Sequence, residues 1–161
     1  MATAHQNLSE YDAQSLPSAK GLKIGLVVSE WNDQITSQLY TGAKKTLQDC
    51  QVETADIETI YVPGSFELVY GAKYLIERQK FDAVIAIGSV IQGATRHFEF
   101  VCQAVSQGIK DLNVQTNTPV IFCVLTDDTL EQAQERSGGK HGNKGVEAAI
   151  AAIKMATLGK V

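Results

Sequence analysis

The chain has 161 residues, of which 44% are hydrophobic and 20% charged, and its formal net charge is -4. These values are ordinary for one globular domain, and the acidic balance excludes a basic surface for nucleic acid or for an anionic membrane. Cys50, Cys102 and Cys123 are far apart and form no CxxC pair, so neither a zinc site nor a redox dithiol is indicated. Residues 1–18 lack the apolar core of a signal peptide, and no apolar run is long enough to span a bilayer, which predicts a cytoplasmic protein.

We predict an N-terminal arm followed by alternating strands and helices. Residues 1–22 are polar and lack clear periodicity, which is typical of an extended arm that a partner subunit orders, and residues 23–161 form the domain. Apolar runs predict strands at residues 23–28, 83–88 and 119–125, and a stretch rich in β-branched residues predicts one at 56–62. Amphipathic stretches predict helices at residues 33–48, 65–77, 95–113, 130–137 and 143–158. Asn32 and Asp33 are predicted to cap the first helix.

The order of these elements predicts the fold class. Strand and helix alternate along the chain, which indicates an α/β fold: a three-layer αβα sandwich with a four-stranded parallel sheet, flavodoxin-like in architecture. Sheets of this kind bind ligands beyond the carboxyl ends of their strands. The candidate ligand-binding segments are therefore residues 29–32, 62–67, 88–97 and 126–128.

A glycine-bearing segment follows the third predicted strand. Residues 88–95 match the Walker A spacing, but Ala94 replaces the required lysine, which argues against an NTPase. The segment could still hold one phosphate through free N–H groups at a helix N-terminus and the Thr95 hydroxyl, or it could be a plain capped turn. His97 falls in the first turn of the helix that follows. A histidine there suits proton transfer, although a lone histidine is more often structural or solvated.

Two further segments follow the first and second predicted strands. Pro63–Glu67 is a strand-to-helix turn, whose N–H groups, phenyl ring and carboxylate either cap the helix or hold a polar heterocycle. Trp31 is the only tryptophan, and it either fills the core or stacks on a planar ligand.

The last candidates flank a glycine-rich turn near the end of the chain. Arg136 at a helix end either interacts with the helix dipole or binds phosphate through its guanidinium. Lys144 and Glu147 lie three residues apart on one helical face, a spacing typical of a surface ion pair.

Together these motifs resemble the lumazine synthase family. The resemblance rests on PGSFE (63–67), GSVIQGATRH (88–97), LTDDTLEQA (125–133) and Arg136 with GNKG (142–145), and it extends from Lys23 to the C-terminus. It implies that a ribitylamino-pyrimidinedione, 5-amino-6-(D-ribitylamino)uracil, condenses with 3,4-dihydroxy-2-butanone 4-phosphate. The products would be 6,7-dimethyl-8-ribityllumazine, phosphate and water. No metal or organic cofactor is implied.

The resemblance also implies which residues form the site. His97 would transfer protons, Arg136 would pair with the phosphate, and Lys144 would join them among the catalytic residues. Trp31, where the family usually has phenylalanine, would stack on the pyrimidine ring, and Phe122 would pack on that ring from a neighbouring subunit. The other substrate-binding positions would be Asn32, Ser65, Phe66, Glu67, Ser89, Val90, Ile91, Ala94, Thr95 and Glu147.

Assembly is implied in the same way. Members of the family form homo-pentamers with active sites between subunits, and some build icosahedral shells. The turn at residues 138–142 carries no insertion, which is similar to the shell-forming members. Riboflavin synthase is a candidate partner.

Two positions depart from the family pattern. Trp31 has a larger face than phenylalanine, so we hypothesise that a flavin can stack there. Asp127 replaces a more usual threonine and adds a negative charge near the end of the fourth strand. The alternative functions are a flavodoxin-like flavin-binding or signalling domain and a flavin-storage shell without catalysis. Residues 29–32 lack the acidic cluster of a signalling receiver, and the retained catalytic positions argue against a loss of activity.

Overall fold

The computed structural model describes residues 7, 9–12 and 15–158. The main sheet has four strands: β1 (Ile24–Ser29), β2 (Ile57–Val62), β3 (Ala83–Ile91) and β4 (Val120–Asp127). Their spatial order is β2-β1-β3-β4, and every neighbouring pair is parallel. This is the order in which a flavodoxin-like sheet begins. The predicted four-stranded parallel sheet is confirmed.

Helices connect these strands, and two further helices joined by a hairpin follow the last strand. The helices of the described residues are α1 (Asp33–Asp49), α2 (Leu68–Arg78), α3 (His97–Gln115), α4 (Leu130–Arg136) and α5 (Lys144–Ala156), with a short 3-10 helix at Thr54–Asp56. A small antiparallel hairpin, β5 (Ser137–Gly139) and β6 (Gly142–Asn143), joins α4 to α5. None of these helices is long and apolar enough to cross a membrane.

Helices cover both faces of the sheet. Since successive strand residues point to opposite faces, neighbouring residues of one strand pack against different helices. Leu26 and Val28 of β1 belong to a buried cluster with α1 and α5, whereas Val27 belongs to a second cluster with α2 and α3. A strand buried on both faces needs apolar residues at every position. An unbroken apolar run is therefore the pattern that predicts a central strand here.

The first turn of α5 lies directly against α1. A Cβ atom at Gly145 would lie 1.9 Å from the carbonyl oxygen of Leu39, so only glycine fits this contact. The side chain of Asn143 accepts a hydrogen bond from the Gly145 N–H (2.8 Å) and donates one to the Gln38 carbonyl (2.9 Å). These bonds hold the β5–β6 hairpin, and with it the end of α4, against the rest of the domain.

Several predicted boundaries differ from the structure. β3 continues to Ile91 instead of ending at residue 88, because residues 84–91 pair with residues 120–127 of β4. Helix α2 begins at Leu68, so Glu67 is its N-cap residue and not an acid of its first turn. The hairpin at residues 137–143 was not predicted; only its glycines were noted as a break between two helices.

The predicted N-terminal arm lies partly outside the described residues, which omit 1–6, 8, 13 and 14. The described part contacts the domain. Ala19 and Leu22 are buried in the cluster beneath α1 and α5. The Ser9 hydroxyl accepts a hydrogen bond from the backbone N–H of Asn143 at 2.9 Å. The core therefore extends to Ala19, and a domain boundary at residue 22 stays a prediction.

Candidate active site

A cleft of about 440 Å³ opens at the carboxyl ends of β1 and β3. Its walls come from the loop after β1, the turn between β2 and α2, the end of β3 and the first turns of α3. The lining residues are Trp31, Asn32, Gly64, Ser65, Phe66, Glu67, Ser89, Val90, Ile91, Gly93, Thr95, His97, Phe98 and Val101. This volume lies within the range of small-molecule sites. The edge of the sheet at which ligands were predicted to bind thus carries a cleft of suitable size.

The cleft collects the predicted ring-binding residues together with His97, but it does not collect all the predicted site residues. Ala94, Phe122, Arg136, Lys144 and Glu147 do not line it. Conversely, Phe98 and Val101 line the cleft, although the sequence interpretation assigned neither of them to the site. For Val101 a signal exists, because it follows His97 by four residues and so shares its face of α3.

Trp31 forms the outer edge of the cleft. Its side chain is 73% exposed, so it does not fill the core. The loop that carries it is held to the end of β2, since the Trp31 N–H donates to the Pro63 carbonyl (3.1 Å) and the Glu30 N–H donates to the Val62 carbonyl (2.8 Å). An exposed indole on a fixed loop can stack on a planar ligand without a large loss of conformational entropy.

Asn32 has a structural role that the sequence did not predict. It adopts the left-handed conformation, with φ of 60°, and its side chain makes no capping hydrogen bond to α1. Instead, the Nδ2 group donates to the carbonyl of Ser89 at 2.9 Å. Asn32 is thus the N-cap residue, as predicted, but its side chain does not cap the helix, whereas the Asp33 carboxylate accepts a hydrogen bond from the Gln34 N–H at 2.8 Å. Asn32 joins the loop after β1 to β3 across the cleft, and it belongs among the few residue types that tolerate this backbone conformation.

Two buried hydroxyls lie in the wall of the cleft. Ser65 and Ser89 are 6% and 1% exposed, and neither Oγ atom has a hydrogen-bond partner among the described residues. Ser65 approaches β3 closely because residue 88 is glycine: a Cβ atom there would lie 2.7 Å from the Ser65 Oγ. A buried polar group without a partner costs free energy. Both hydroxyls can therefore gain a hydrogen bond from a polar ligand or from water.

His97 is the first residue of α3 and lies exposed in the cleft. Its backbone N–H donates to the Thr95 hydroxyl at 3.4 Å, which holds these two lining residues side by side. The positive end of a helix dipole at this point favours an anion. Gly88 lies inside β3, so the glycine spacing noted in the sequence belongs to a strand and the turn after it, not to a phosphate-binding loop of the Walker type.

Arg136 lies at the end of α4, away from the cleft of the same chain. One of its guanidinium N–H groups donates to the Gln132 carbonyl at 2.9 Å. The buried carboxylate of Asp127 approaches the guanidinium to 3.8 Å. Burial raises the pKa of Asp127, and the positive charge of Arg136 opposes that rise. Arg136 is thus ordered, with N–H donors left for an anion.

Lys144 and Glu147 form the ion pair that their spacing predicts, with Nζ and Oε1 2.6 Å apart. Both stand at the start of α5, near β4.

Phe122 of β4 is partly exposed at the open edge of the sheet. Cys123, the next residue, is fully buried, and this burial raises its pKa to about 12. Its thiol is therefore part of the core and not a nucleophile at neutral pH.

The part of the chain that the structure describes contains no cluster of metal-ligating side chains. No group of three or more His, Cys, Asp or Glu side chains is placed there to hold a metal ion. The cleft instead offers an aromatic face, buried hydroxyls, a carboxylate and an imidazole. These groups suit a planar polar molecule and proton transfer.

Comparisons with known proteins identify the family of this chain. Residues 21–160 match the family model described as 6,7-dimethyl-8-ribityllumazine synthase. Curated proteins of that name are similar over nearly the whole chain. One from Flavobacterium johnsoniae is 64% identical over 98% of this chain and 83% of its own length. Another, from Christiangramia forsetii, is 58% identical over 99% of this chain and 96% of its own. A third, from Porphyromonas gingivalis, is 54% identical over the full length of both. The chain belongs to the 6,7-dimethyl-8-ribityllumazine synthase family.

Proposed function

We propose that this protein is a transferase that makes 6,7-dimethyl-8-ribityllumazine in riboflavin biosynthesis. It condenses 5-amino-6-(D-ribitylamino)uracil with 3,4-dihydroxy-2-butanone 4-phosphate and releases phosphate and water. The observation that carries this proposal is the single cleft that places an exposed indole, two buried hydroxyls, Glu67 and His97 around one space. Membership of the synthase family supports it and does not favour a flavin carrier without catalysis.

The pyrimidinedione ring would bind against Trp31. Its oxygen and nitrogen atoms would bond to the hydroxyls of Ser65 and Ser89, which lack partners in the described part of the chain. Phe66 and Glu67 stand exposed in the same cleft, where a ribityl chain with several hydroxyls would meet a carboxylate acceptor. Asn32 would act through its bond to the Ser89 carbonyl and keep these walls in place. The backbone of Val90 and Ile91 completes the same surface.

His97 would move protons during the condensation. One amine attacks the ketone, the resulting carbinolamine loses water, and elimination of phosphate leaves an enol that becomes a new ketone. The second amine attacks that ketone, and the loss of a second water completes the ring. Each step adds or removes a proton near the start of α3, where the imidazole lies in the cleft. Both substrates are reactive, so holding them in orientation supplies much of the acceleration. A positioned histidine adds about 10²–10⁴-fold.

The phosphate would lie between Thr95, at the start of α3, and Arg136 of a neighbouring copy. Within one chain Arg136 does not line the cleft that His97 lines, and this supports a second copy as the source of the guanidinium. Phe122 at the open edge of the sheet would cover the ring in the same way. Lys144 and Glu147 would form the polar rim beside Arg136, and Ala94 would contact the phosphate through its backbone.

We propose a homo-pentamer as the unit that completes the site. Large aromatic side chains are exposed on α2 and α3, among them Tyr70 and Tyr74, which lie four residues apart on one helical face, and Phe100. Exposed aromatic groups of this number are typical of protein interfaces. An icosahedral shell, with riboflavin synthase as a partner, is the further assembly to test. Light scattering of the purified protein would distinguish a pentamer from a shell.

The decisive experiment mixes the purified protein with both substrates and follows the absorbance and fluorescence of the lumazine product. We expect product formation in the wild type and a rate about 10²-fold lower in His97→Ala, which is slowed but not abolished. Gln103→Ala, an exposed position on the same helix, is the matched control and should keep the wild-type rate. A wild-type protein that binds the substrates without forming product would refute the proposed function. A wild-type rate in His97→Ala would remove His97 from the mechanism.

A further inference from the structure

Asp127 is a buried carboxylate whose only close cation is Arg136 among the described residues. It is the last residue of β4 and is 7% exposed. Its Oδ2 atom has no hydrogen-bond partner in the described part of the chain. Its Oδ1 atom lies 3.8 Å from Nη1 of Arg136, which is too far for a hydrogen bond. The two charges therefore attract each other without a bond that fixes their geometry.

Both groups are held in place by other contacts. The backbone of Asp127 pairs with Ile91 in the sheet, and its carbonyl accepts a hydrogen bond from the Gln92 N–H at 2.9 Å. The Arg136 guanidinium donates to the Gln132 carbonyl within its own helix, also at 2.9 Å. Asp127 is thus not required to orient Arg136. What it contributes is a negative charge, at a distance that the fold keeps short.

We propose that the carboxylate of Asp127 competes with a bound anion for the Arg136 guanidinium, and so weakens phosphate binding at this site. The inference rests on the proposed role of Arg136 as the phosphate partner. A guanidinium alone presents one positive charge to an incoming phosphate, whereas the pair of Arg136 and Asp127 presents none in sum. Like charges in a poorly hydrated place repel strongly, because little water screens them. Weak binding of phosphate would help the phosphate that the reaction releases to leave the site.

The test is the affinity for inorganic phosphate, measured by calorimetry on the assembled protein and by competitive inhibition. We expect Asp127→Asn, which keeps the shape of the side chain and removes its charge, to bind phosphate about tenfold more tightly, or about 1.4 kcal/mol. Asp127→Ser is a second neutral variant and should shift the affinity in the same direction. Glu131→Gln, an exposed acid on the helix that carries Arg136, is the matched control and should change the affinity less than about twofold. Unchanged or weaker binding in both Asp127 variants would overturn the proposal.

A second pair of variants separates this inference from the function on which it rests. Arg136→Ala should bind phosphate more weakly than the wild type, and in that background Asp127→Asn should no longer tighten binding. If Arg136→Ala binds phosphate like the wild type, the assignment of the phosphate to Arg136 fails, and the inference fails with it. If Arg136→Ala weakens binding but Asp127→Asn does not tighten it, only the competition is refuted. A disturbed fold would weaken binding, so a tighter complex cannot come from structural damage.

Discussion

We expect assemblies that contain both His97→Ala and Arg136→Ala subunits to form product faster than assemblies of either variant alone. In one chain Arg136 does not line the cleft that holds His97. Each complete site of a closed ring would therefore combine His97 of one subunit with Arg136 of the next. Each single variant lacks one of these residues in every site, and we expect Arg136→Ala to be the slower of the two because the leaving phosphate loses its charge partner.

The size of the recovery follows from counting neighbours. In a random, equal mixture, a given site takes an intact His97 in half of the cases and an intact Arg136 in half. About a quarter of the sites are then complete, as expected for a head-to-tail ring. Since each pure variant is slower than the wild type by about 10²-fold or more, these complete sites dominate the measured rate.

The assay co-expresses the two variants with different affinity tags, purifies assemblies that carry both, and measures lumazine formation per subunit. The control mixes wild-type subunits with the double variant His97→Ala/Arg136→Ala. That mixture should keep about a quarter of the wild-type rate if the site spans two subunits, but about half if one chain forms the whole site. A mixture of single variants no faster than the mean of its components, together with half activity in the control, would refute the shared site.

Three further predictions follow from single contacts. Asn32→Ala removes the bond to the Ser89 carbonyl and places alanine at φ of 60°, so the free energy of unfolding in urea should fall by about 1–3 kcal/mol. Asn32→Gly should recover about 1 kcal/mol of that loss, and no recovery would exclude backbone strain. The pKa of Cys123 is raised from 9.0 to about 12, so above about pH 9 the unfolded state releases this proton while the folded state keeps it. The free energy of unfolding should therefore fall by about 1.4 kcal/mol per pH unit up to about pH 12, and Cys123→Ala should lack this fall. If the free energy of unfolding changed with pH in the same way in both proteins, the prediction would be wrong. Trp31 should lose fluorescence when riboflavin is titrated in, because its exposed indole can stack on a flavin, and unchanged emission at saturation would end that hypothesis.

Local patterns in the sequence determined the order and type of the main elements. The two central strands, β1 and β3, are buried on both faces, so each appears as an unbroken apolar run such as residues 83–88. The helices are covered on one side, and α1 therefore repeats an apolar residue every four positions, as at Leu39, Ala43 and Leu47. Alternation of these two patterns is enough to predict a parallel sheet, and with it the edge at which ligands bind.

Tertiary contacts decided what local patterns cannot contain. The extension of β3 to Ile91 depends on hydrogen bonds to β4, which is some thirty residues away in the chain, and the side chain of Asn32 finds its partner in Ser89 instead of the helix it precedes. The family resemblance implied that His97 and Arg136 serve one phosphate site shared between subunits, and folding leaves Arg136 outside the cleft of its own chain, beside the buried charge of Asp127. The distances between elements depend on how the helices pack against the sheet. The free energy of this packing comes from contacts among many residues that are remote in sequence, so local patterns do not contain it.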